Sequence, residues 1–162
     1  MTRLLSYIAH HAVKQSAPGL CGPTALRNAL LRYERLPVPH GSARGCDEYR
    51  LSRLANRLGY HIEHVNCITP GYARSQLRYW IRRNTPALLC VDRDSSGPWA
   101  HWVALVHCNA RHAYICDSSN DAPRDPIRMT WSQFLARAAT VTHANSHSLT
   151  YRYDLYGVIC PS

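Results

Sequence analysis

A single amphipathic segment near the amino terminus constrains the fold of this chain more than any other feature. Its apolar residues recur every three or four positions, as one buried helix face requires; they are Ala25, Leu26, Ala29, Leu30 and Tyr33. The preceding stretch SAPGL has the composition of a loop. Pro23 fits a first helical turn, because the amide that proline lacks would have no partner there. We therefore predict a helix that begins at or next to Cys21.

Three further helices are expected from the same periodicity. Gly59 is a suitable C-cap for the first of them, and Thr130 with Gln133 fits a capping box at the start of the last. The predicted helices cover residues 47–58, 72–83 and 131–137.

Strand-like patterns dominate the second half of the chain. Short apolar runs separated by turn-forming residues predict strands at 87–91, 101–106 and 113–116, and Tyr151, Tyr153 and Leu155 alternate as in another strand. Helices thus come first and strands follow. This order indicates an α+β fold in which N-terminal helices pack on an antiparallel sheet.

The length and composition suit one domain spanning residues 1–162. The 162 residues are 46% hydrophobic, which allows one compact core. No run approaches the roughly 18 apolar residues of a membrane span, and the start MTRLLSYIAHHAVKQ lacks the apolar stretch of a signal peptide. We expect a soluble protein without membrane contact, either cytoplasmic or delivered to other cells by a route other than general secretion.

The chain is strongly basic, with a net charge of +9 and a pI near 9.5. Its basic residues are nevertheless dispersed, with one adjacent pair at Arg82-Arg83, and no RNA-binding or zinc-finger signature is present. Arg74, Arg78 and Arg82 recur every four residues and are expected on one solvated helix face. We therefore predict no nucleic-acid partner and favour an acidic protein partner or substrate.

Seven cysteines are present, and their spacing excludes a compact disulfide framework or a CxxC metal knuckle. Most lie in apolar runs such as PALLCV and AYICD, where a free thiol serves as a small buried hydrophobe. Six are therefore interpreted as structural thiols in a reducing compartment: Cys46, Cys67, Cys90, Cys108, Cys116 and Cys160.

Cys21 differs because its predicted place is the start of a helix. A helix N-terminus and a nearby imidazolium lower a thiol pKa from about 8.5 to roughly 3.5–7.5, which makes the thiol nucleophilic at neutral pH. Gly19 and Gly22 would let the backbone turn tightly and let a substrate approach the sulfur. Cys21 is our candidate nucleophile.

His101 and Asp117 are the candidate partners of this thiol. His101 opens the apolar run WVALVHC, and Asp117 closes the run AYIC on the following predicted strand, 16 positions later. Adjacent antiparallel strands could bring the two side chains together, with His101 as the general base and Asp117 as its orienting carboxylate. The alternative for Asp117 is that it starts the turn DSSND.

Gln15 is the candidate oxyanion donor. It precedes Cys21 by six residues in a short loop, and its side-chain amide together with the Cys21 backbone N–H could bind the oxygen that becomes charged as the thiolate attacks a carbonyl.

The run QSAPGLCGPTALRNAL from Gln15 to Leu30 resembles the active-site segment of the peptidase C39 family, papain-like domains that remove double-glycine leaders from bacteriocins. Further similar segments follow in the family's order: LRYWIRRNTPALLCVD, His101 with its strand, YICD ending at Asp117, and WSQF. The resemblance covers most of the chain up to about Arg137. It implies a papain-like fold in which Gln15, Cys21, His101 and Asp117 are the oxyanion, nucleophile, base and orienting residues.

The chain departs from that family where Ser118 and Ser119 follow the orienting aspartate, since the family usually has proline directly after it. The family's transporters also add a membrane-spanning part and an ATPase, neither of which is seen here, so we expect a free-standing domain. The resemblance implies a cysteine endopeptidase that cuts after Gly-Gly. It is either a housekeeping leader-processing peptidase or an antibacterial toxin effector that an immunity protein neutralises.

Other functions fit the same residues. A papain-like deamidase or transglutaminase would share the triad and the thioester intermediate, and an inactive domain would only bind peptides. A metal site would need ligands from His61, His64, Cys67, His107 and Cys108, but their spacing matches no closed site. We therefore expect neither a metal nor another cofactor.

Overall fold

The computed structural model describes residues 2–17, 19–34, 47–91, 101–145 and 148–161. Cys46 and the SSGPWA stretch before His101 lie outside these ranges. The described helices are α1 (Arg3–His11), α2 (Cys21–Leu30) with a 3₁₀ turn (Leu31–Tyr33), α3 (Glu48–Arg57), α4 (Pro70–Arg82) and α5 (Trp131–Ala138). The described strands are β1 (His61–Cys67), β2 (Ala87–Val91), β3 (His101–Cys108), β4 (His112–Asp117), β5 (Ile127–Thr130), β6 (Thr140–Asn145) and β7 (Ser148–Ile159).

The strands form one antiparallel sheet in the order β1-β7-β2-β3-β4-β5, and β6 pairs with the first part of β7. Side chains on its two faces build two cores, because successive strand residues point to opposite faces. On β3, Trp102, Ala104 and Val106 pack with α1, α2 and α3, whereas Val103 and Leu105 pack with α4 and α5. The predicted α+β fold with N-terminal helices on an antiparallel sheet is confirmed.

The helix predicted from Cys21 is confirmed, and its four apolar positions Ala25, Leu26, Ala29 and Leu30 are completely buried. The other predicted helices are confirmed within about two residues at their ends. Asp47 caps α3, whose end is followed by Gly59 with a positive φ of 80°, the left-handed conformation that glycine adopts without strain. Thr130 and Gln133 form the predicted capping box at α5.

The predicted order of helices followed by strands is wrong in detail. β1 precedes α4, and α5 lies between β5 and β6. β1 escapes prediction because only Ile62 and Cys67 of its seven residues are buried, so the strand lacks a clear alternation. α1, β5 and β6 were also not predicted, although Leu5, Ile8 and Ala12 give α1 a buried face at helical spacing.

The described thiols outside the predicted site are mostly enclosed. Cys67 and Cys116 are buried, while Cys90, Cys108 and Cys160 are half-buried against the two cores. Among the described residues, no helix is both long and apolar enough to span a bilayer.

Candidate active site

Cys21 is the first residue of α2 and is half-buried, so its sulfur meets the amide end of the helix. Leu20 precedes it and forms no side-chain cap, so no capping group competes for the first amides. Backbone hydrogen bonds from Gly22 and Trp102 reach the sulfur. Gly19 has a φ of 84°, a left-handed conformation that lets the loop turn sharply into the helix.

The pKa of Cys21 is lowered. Burial alone would raise it, because an apolar environment disfavours the thiolate, but a side-chain hydrogen bond with His101, the two backbone N–H groups and the charge on His101 together outweigh burial. The thiol is therefore poised to ionise, as a nucleophilic cysteine must be.

His101 stands at the start of β3, between the thiol and Asp117. Its Nε2 lies 2.6 Å from Asp117 Oδ1. An ionised carboxylate only accepts hydrogen bonds, so Nε2 is the donor. The hydrogen bonds with Asp117 and then with Cys21 raise the pKa of His101 to about 9, against burial, which lowers it. The imidazole is therefore held as an imidazolium beside the thiol.

Asp117 ends β4 with a side chain that is 7% exposed. Burial raises the pKa of this carboxyl, but hydrogen bonds from His101 Nε2 and from the Ser119 N–H and Oγ, at 2.9 and 2.8 Å, hold it well below its usual range. Arg137 on α5 adds a positive charge, with Nη2 3.9 Å from Asp117 Oδ2. A buried carboxylate is stable here because all these groups compensate its lost hydration.

A β-bulge in the β3–β4 hairpin brings His101 and Asp117 onto one face. Near the turn, His107 pairs with Tyr114, but beyond the bulge Leu105 pairs with Ile115 and Val103 with Asp117. Without this shift of one residue, Asp117 would lie opposite Ala104, whose side chain points to the other face. The carboxylate therefore reaches His101, two residues from Val103, because of the bulge.

Gln15 lies in the loop between α1 and α2, against the turn after Asp117. Its backbone N–H donates to the Ser118 carbonyl at 2.9 Å, and its Oε1 accepts from Ser118 Oγ at 3.4 Å. The Gln15 side-chain oxygen thus accepts from Ser118, and the Nε2 group remains as the donor of the amide. The structure therefore brings all four predicted site residues to one region, where the ends of β3 and β4 meet α2.

Several residues around this region were not predicted. Asn28 of α2 is 1% exposed, and its side chain both donates to and accepts from the backbone of Val13. Lys14, Ser118 and Ser119 complete the contacts. A sequence signal existed for Asn28, an amide next to the apolar positions of α2, where it needs a partner.

Most of the other described His and Cys residues lie apart from this region. Within the described ranges, no three His, Cys, Asp or Glu side chains are grouped so that they could hold a metal ion. His64 instead pairs with Asp154 at 3.0 Å, on the exposed part of β1.

Neither a family model nor a curated protein sequence matches this chain. Solved structures match it in fold. The peptidase domain of Streptococcus ComA, a bifunctional ABC transporter of a quorum-sensing pathway, has a TM-score of 0.59 at 14% identity, covering 93% of this chain and 97% of that one.

Two further structures agree with this similarity. A double-glycine motif protease from an AMS/PCAT transporter, solved with its leader peptide, has a TM-score of 0.57 at 16% identity, covering 91% of this chain and 90% of that one. The peptidase domain of Streptococcus mutans ComA has a TM-score of 0.51 at 13% identity, covering 89% and 98%. The chain therefore has the papain-like fold of the C39 peptidase domains.

Proposed function

We propose that this protein is a cysteine peptidase in which Cys21 is the nucleophile, His101 the general acid and base, and Asp117 the orienting carboxylate. The observation that carries the proposal is the continuous contact from the helix-terminal thiol through His101 to a buried Asp117. A fold shared with peptidase domains of transporters supports the same conclusion.

The proposed reaction begins with the Cys21 thiolate and the His101 imidazolium. The thiolate attacks the scissile carbonyl carbon and forms a C–S bond, while the oxygen takes the negative charge and accepts hydrogen bonds from the Cys21 N–H and the Gln15 amide. His101 gives its proton to the leaving nitrogen as the C–N bond breaks. Water then loses a proton to His101 and attacks the thioester, which releases the acid and the thiolate.

The substrate that we propose is a peptide or protein segment cut after Gly-Gly. Its support is the fold shared with a double-glycine motif protease that was solved with its leader peptide. Synthetic peptides that carry Gly-Gly, with matched Ala-Ala peptides, test this directly by mass spectrometry of the products. Hydrolysis after Gly-Gly by the wild type but not by Cys21→Ala is expected. Equal cleavage of the Ala-Ala peptides would contradict the specificity.

The same assay separates hydrolysis from the other thioester reactions. A deamidase would add about one mass unit to a glutamine-containing peptide and leave its backbone whole, and a transglutaminase would join an added amine to that glutamine. Two peptide fragments without either product are expected.

We also propose that the enzyme is an antibacterial effector that an immunity protein neutralises, and growth tests this setting. An antibacterial effector would arrest bacteria that express the wild type but not those that express Cys21→Ala, and co-expression of its inhibitor would restore growth. Equal growth of both cultures would instead assign the enzyme to leader processing.

A further inference from the structure

The loop that carries Gln15 joins two parts of the candidate site that are distant in sequence. After α1 ends at His11, residues 12–15 form no helix or strand, yet their backbone and side chains contact both α2, which carries Cys21, and the turn after Asp117. The contacts on each side show what holds this loop in place.

On the α2 side, Asn28 fixes Val13. The Asn28 Oδ1 accepts from the Val13 N–H, and its Nδ2 donates to the Val13 carbonyl, both at 3.0 Å. Asn28 follows Cys21 by two helical turns, so the loop is attached to the helix that positions the thiol. Both polar ends of this buried amide are satisfied by one residue of the loop.

On the Asp117 side, Lys14 and Ser118 make the connection. The Lys14 Nζ donates to the carbonyl of Asp117 at 3.0 Å and to that of Pro123 at 2.8 Å, so one ammonium ties together both ends of the turn. Ser118, which is completely buried, accepts from the Gln15 N–H through its carbonyl and donates to Gln15 Oε1 through its hydroxyl.

Lys14 is chemically distinctive in this chain. It is the single lysine among the 19 lysine and arginine residues, so arginine stands at the other 18 positions. A compact ammonium with three donors can bond two separate carbonyls at once, whereas the planar guanidinium suits a fork of two parallel bonds. Its charge also lies close to Asp117, where it helps to compensate the buried carboxylate.

We propose that Lys14 and Ser118 are positioning residues that hold the Gln15 loop and the Asp117 turn as one unit. Through Lys14 the backbone of Asp117 is fixed, and with it the direction of the carboxylate toward His101. Through Ser118 the Gln15 amide is turned so that its Nε2 can face the oxyanion. This inference rests on the proposed function for the roles of Gln15 and Asp117, whereas the contacts themselves do not depend on it.

Loss of the Lys14 contacts and loss of the Ser118 hydroxyl should cause different defects. Lys14→Met removes the ammonium at similar length and frees the Asp117 turn, so His101 should hold its proton less firmly and the Cys21 thiolate should lose support. Ser118→Ala removes only the hydroxyl that turns Gln15, so oxyanion binding should suffer while the thiol stays unchanged.

The test combines peptidase kinetics with a readout that needs no substrate. The rate of Cys21 alkylation by iodoacetamide is followed against pH by peptide mass spectrometry, and kcat and KM are measured on a Gly-Gly peptide. Lys14→Met is expected to lower kcat by about tenfold or more, with KM within about twofold, and to move the alkylation midpoint upward. Ser118→Ala is expected to lower kcat several-fold with an unchanged alkylation profile.

Matched controls distinguish positioning from general damage. Lys14→Arg keeps the charge but replaces the compact ammonium by a planar fork, so it should recover only part of kcat. Arg57→Met on the exposed end of α3 and Ser52→Ala, which loses a hydroxyl bonded to a helix carbonyl, should leave both readouts unchanged. Folding is checked by circular dichroism.

The outcomes separate this inference from the proposed function. Folded Lys14→Met and Ser118→Ala proteins with wild-type kcat and alkylation would overturn the inference. If Lys14→Met does not fold, Ser118→Ala alone decides it. A wild type that cleaves no peptide would contradict the proposed function, and a shifted alkylation midpoint in Lys14→Met would still support the connection to Asp117.

Discussion

The two ends of β3 each combine a histidine with a cysteine, yet their chemistry is opposite. At the first end, Asp117 and Cys21 raise the pKa of His101 to about 9, and the pKa of Cys21 is lowered. At the other end, burial and then the charge of Arg32 lower the pKa of His107, and burial raises the pKa of Cys108. Cys21 and His101 thus favour the thiolate and the imidazolium, whereas Cys108 and His107 favour the neutral thiol and imidazole.

Positive charge alone does not account for this difference. Arg78, Arg32, Arg82 and Arg74 all act to lower the pKa of Cys108, yet burial prevails. Cys21 is buried as well, but it receives hydrogen bonds from His101 and from two backbone amides. Donors aimed at the sulfur therefore matter more than net charge nearby, as the directional nature of hydrogen bonds requires.

The carboxylate of Asp117 is the second difference between the two ends of β3. His101 has Asp117 at 2.6 Å, whereas the charged neighbour that affects His107 is the cation Arg32, which donates to the carbonyls of Val106 and Ile81. A histidine beside a carboxylate keeps its proton at neutral pH, and one beside a buried arginine gives it up.

Separate replacement of the Cys21 and Cys108 thiols should give the largest difference in peptide cleavage. Cys21→Ala is expected to abolish peptide cleavage, a loss on the order of 10⁵-fold or more, because the nucleophile is absent. Cys108→Ala should retain cleavage, since that thiol stays protonated and lies at the far end of the strand. Activity is measured on the Gly-Gly peptide, with thermal unfolding as the control. Comparable cleavage by both variants would refute the assignment of the nucleophile.

Separate replacement of His101 and His107 should give nearly as large a difference in peptide cleavage. His101→Ala is expected to approach the loss of Cys21→Ala, because members of one catalytic unit fail together. His107→Ala should change kcat by less than about threefold, since its imidazole contacts the Tyr114 ring rather than the candidate site. A severe loss in a folded His107→Ala protein would mean that the two ends of β3 are coupled.

Removal of the carboxylate should have an intermediate effect. Asp117→Ala is expected to lower kcat by about 10²–10⁴-fold and still leave measurable cleavage, because Asp117 orients the base without touching the substrate. Asp154→Ala breaks the pair of His64 with Asp154 on β1 and β7 and should keep most of the activity. No loss in Asp117→Ala would move the orienting role to Asn120 or Asp121.

Much of this arrangement follows from local sequence patterns. The apolar spacing after Cys21 predicts α2, and Thr130 with Gln133 predicts the start of α5, because helix periodicity and capping depend on neighbouring residues. The resemblance to peptidase C39 supplies the four site residues and the papain-like fold. The two helix starts are decided within about one helix, whereas the resemblance compares segments spread along the chain.

The parts that the sequence does not predict depend on pairing between segments. The bulge between Leu105 and His107 decides which face Asp117 occupies, and neither residue is a glycine that would mark it. The contacts of Lys14 with Asp117 and Pro123 join residues more than 100 positions apart. Ser118 contributes a hydroxyl whose use becomes visible when the loop of Gln15 is placed beside it.

The ionisation of Cys21 and Cys108 can be compared in one wild-type sample. This comparison should give the smallest effect, but it measures the difference between the two ends of β3 most directly. Iodoacetamide reacts with the thiolate, so the rate at each cysteine follows its ionised fraction. Because the pKa of Cys21 is lowered and that of Cys108 is raised, Cys21 should reach half of its maximal rate at a lower pH than Cys108. At pH 7 the two rates should therefore differ by about tenfold or more.

Peptide cleavage should follow the same ionisations. It should rise with pH as Cys21 loses its proton and fall as pH passes about 9, where His101 loses the proton that the leaving nitrogen needs. In His101→Ala the midpoint of Cys21 alkylation should move upward and that of Cys108 should stay in place. A Cys21 midpoint that does not respond to the loss of His101 would show that the helix amides alone ionise the thiol, and the contrast between the two ends of β3 would then rest on backbone geometry instead of on the histidines.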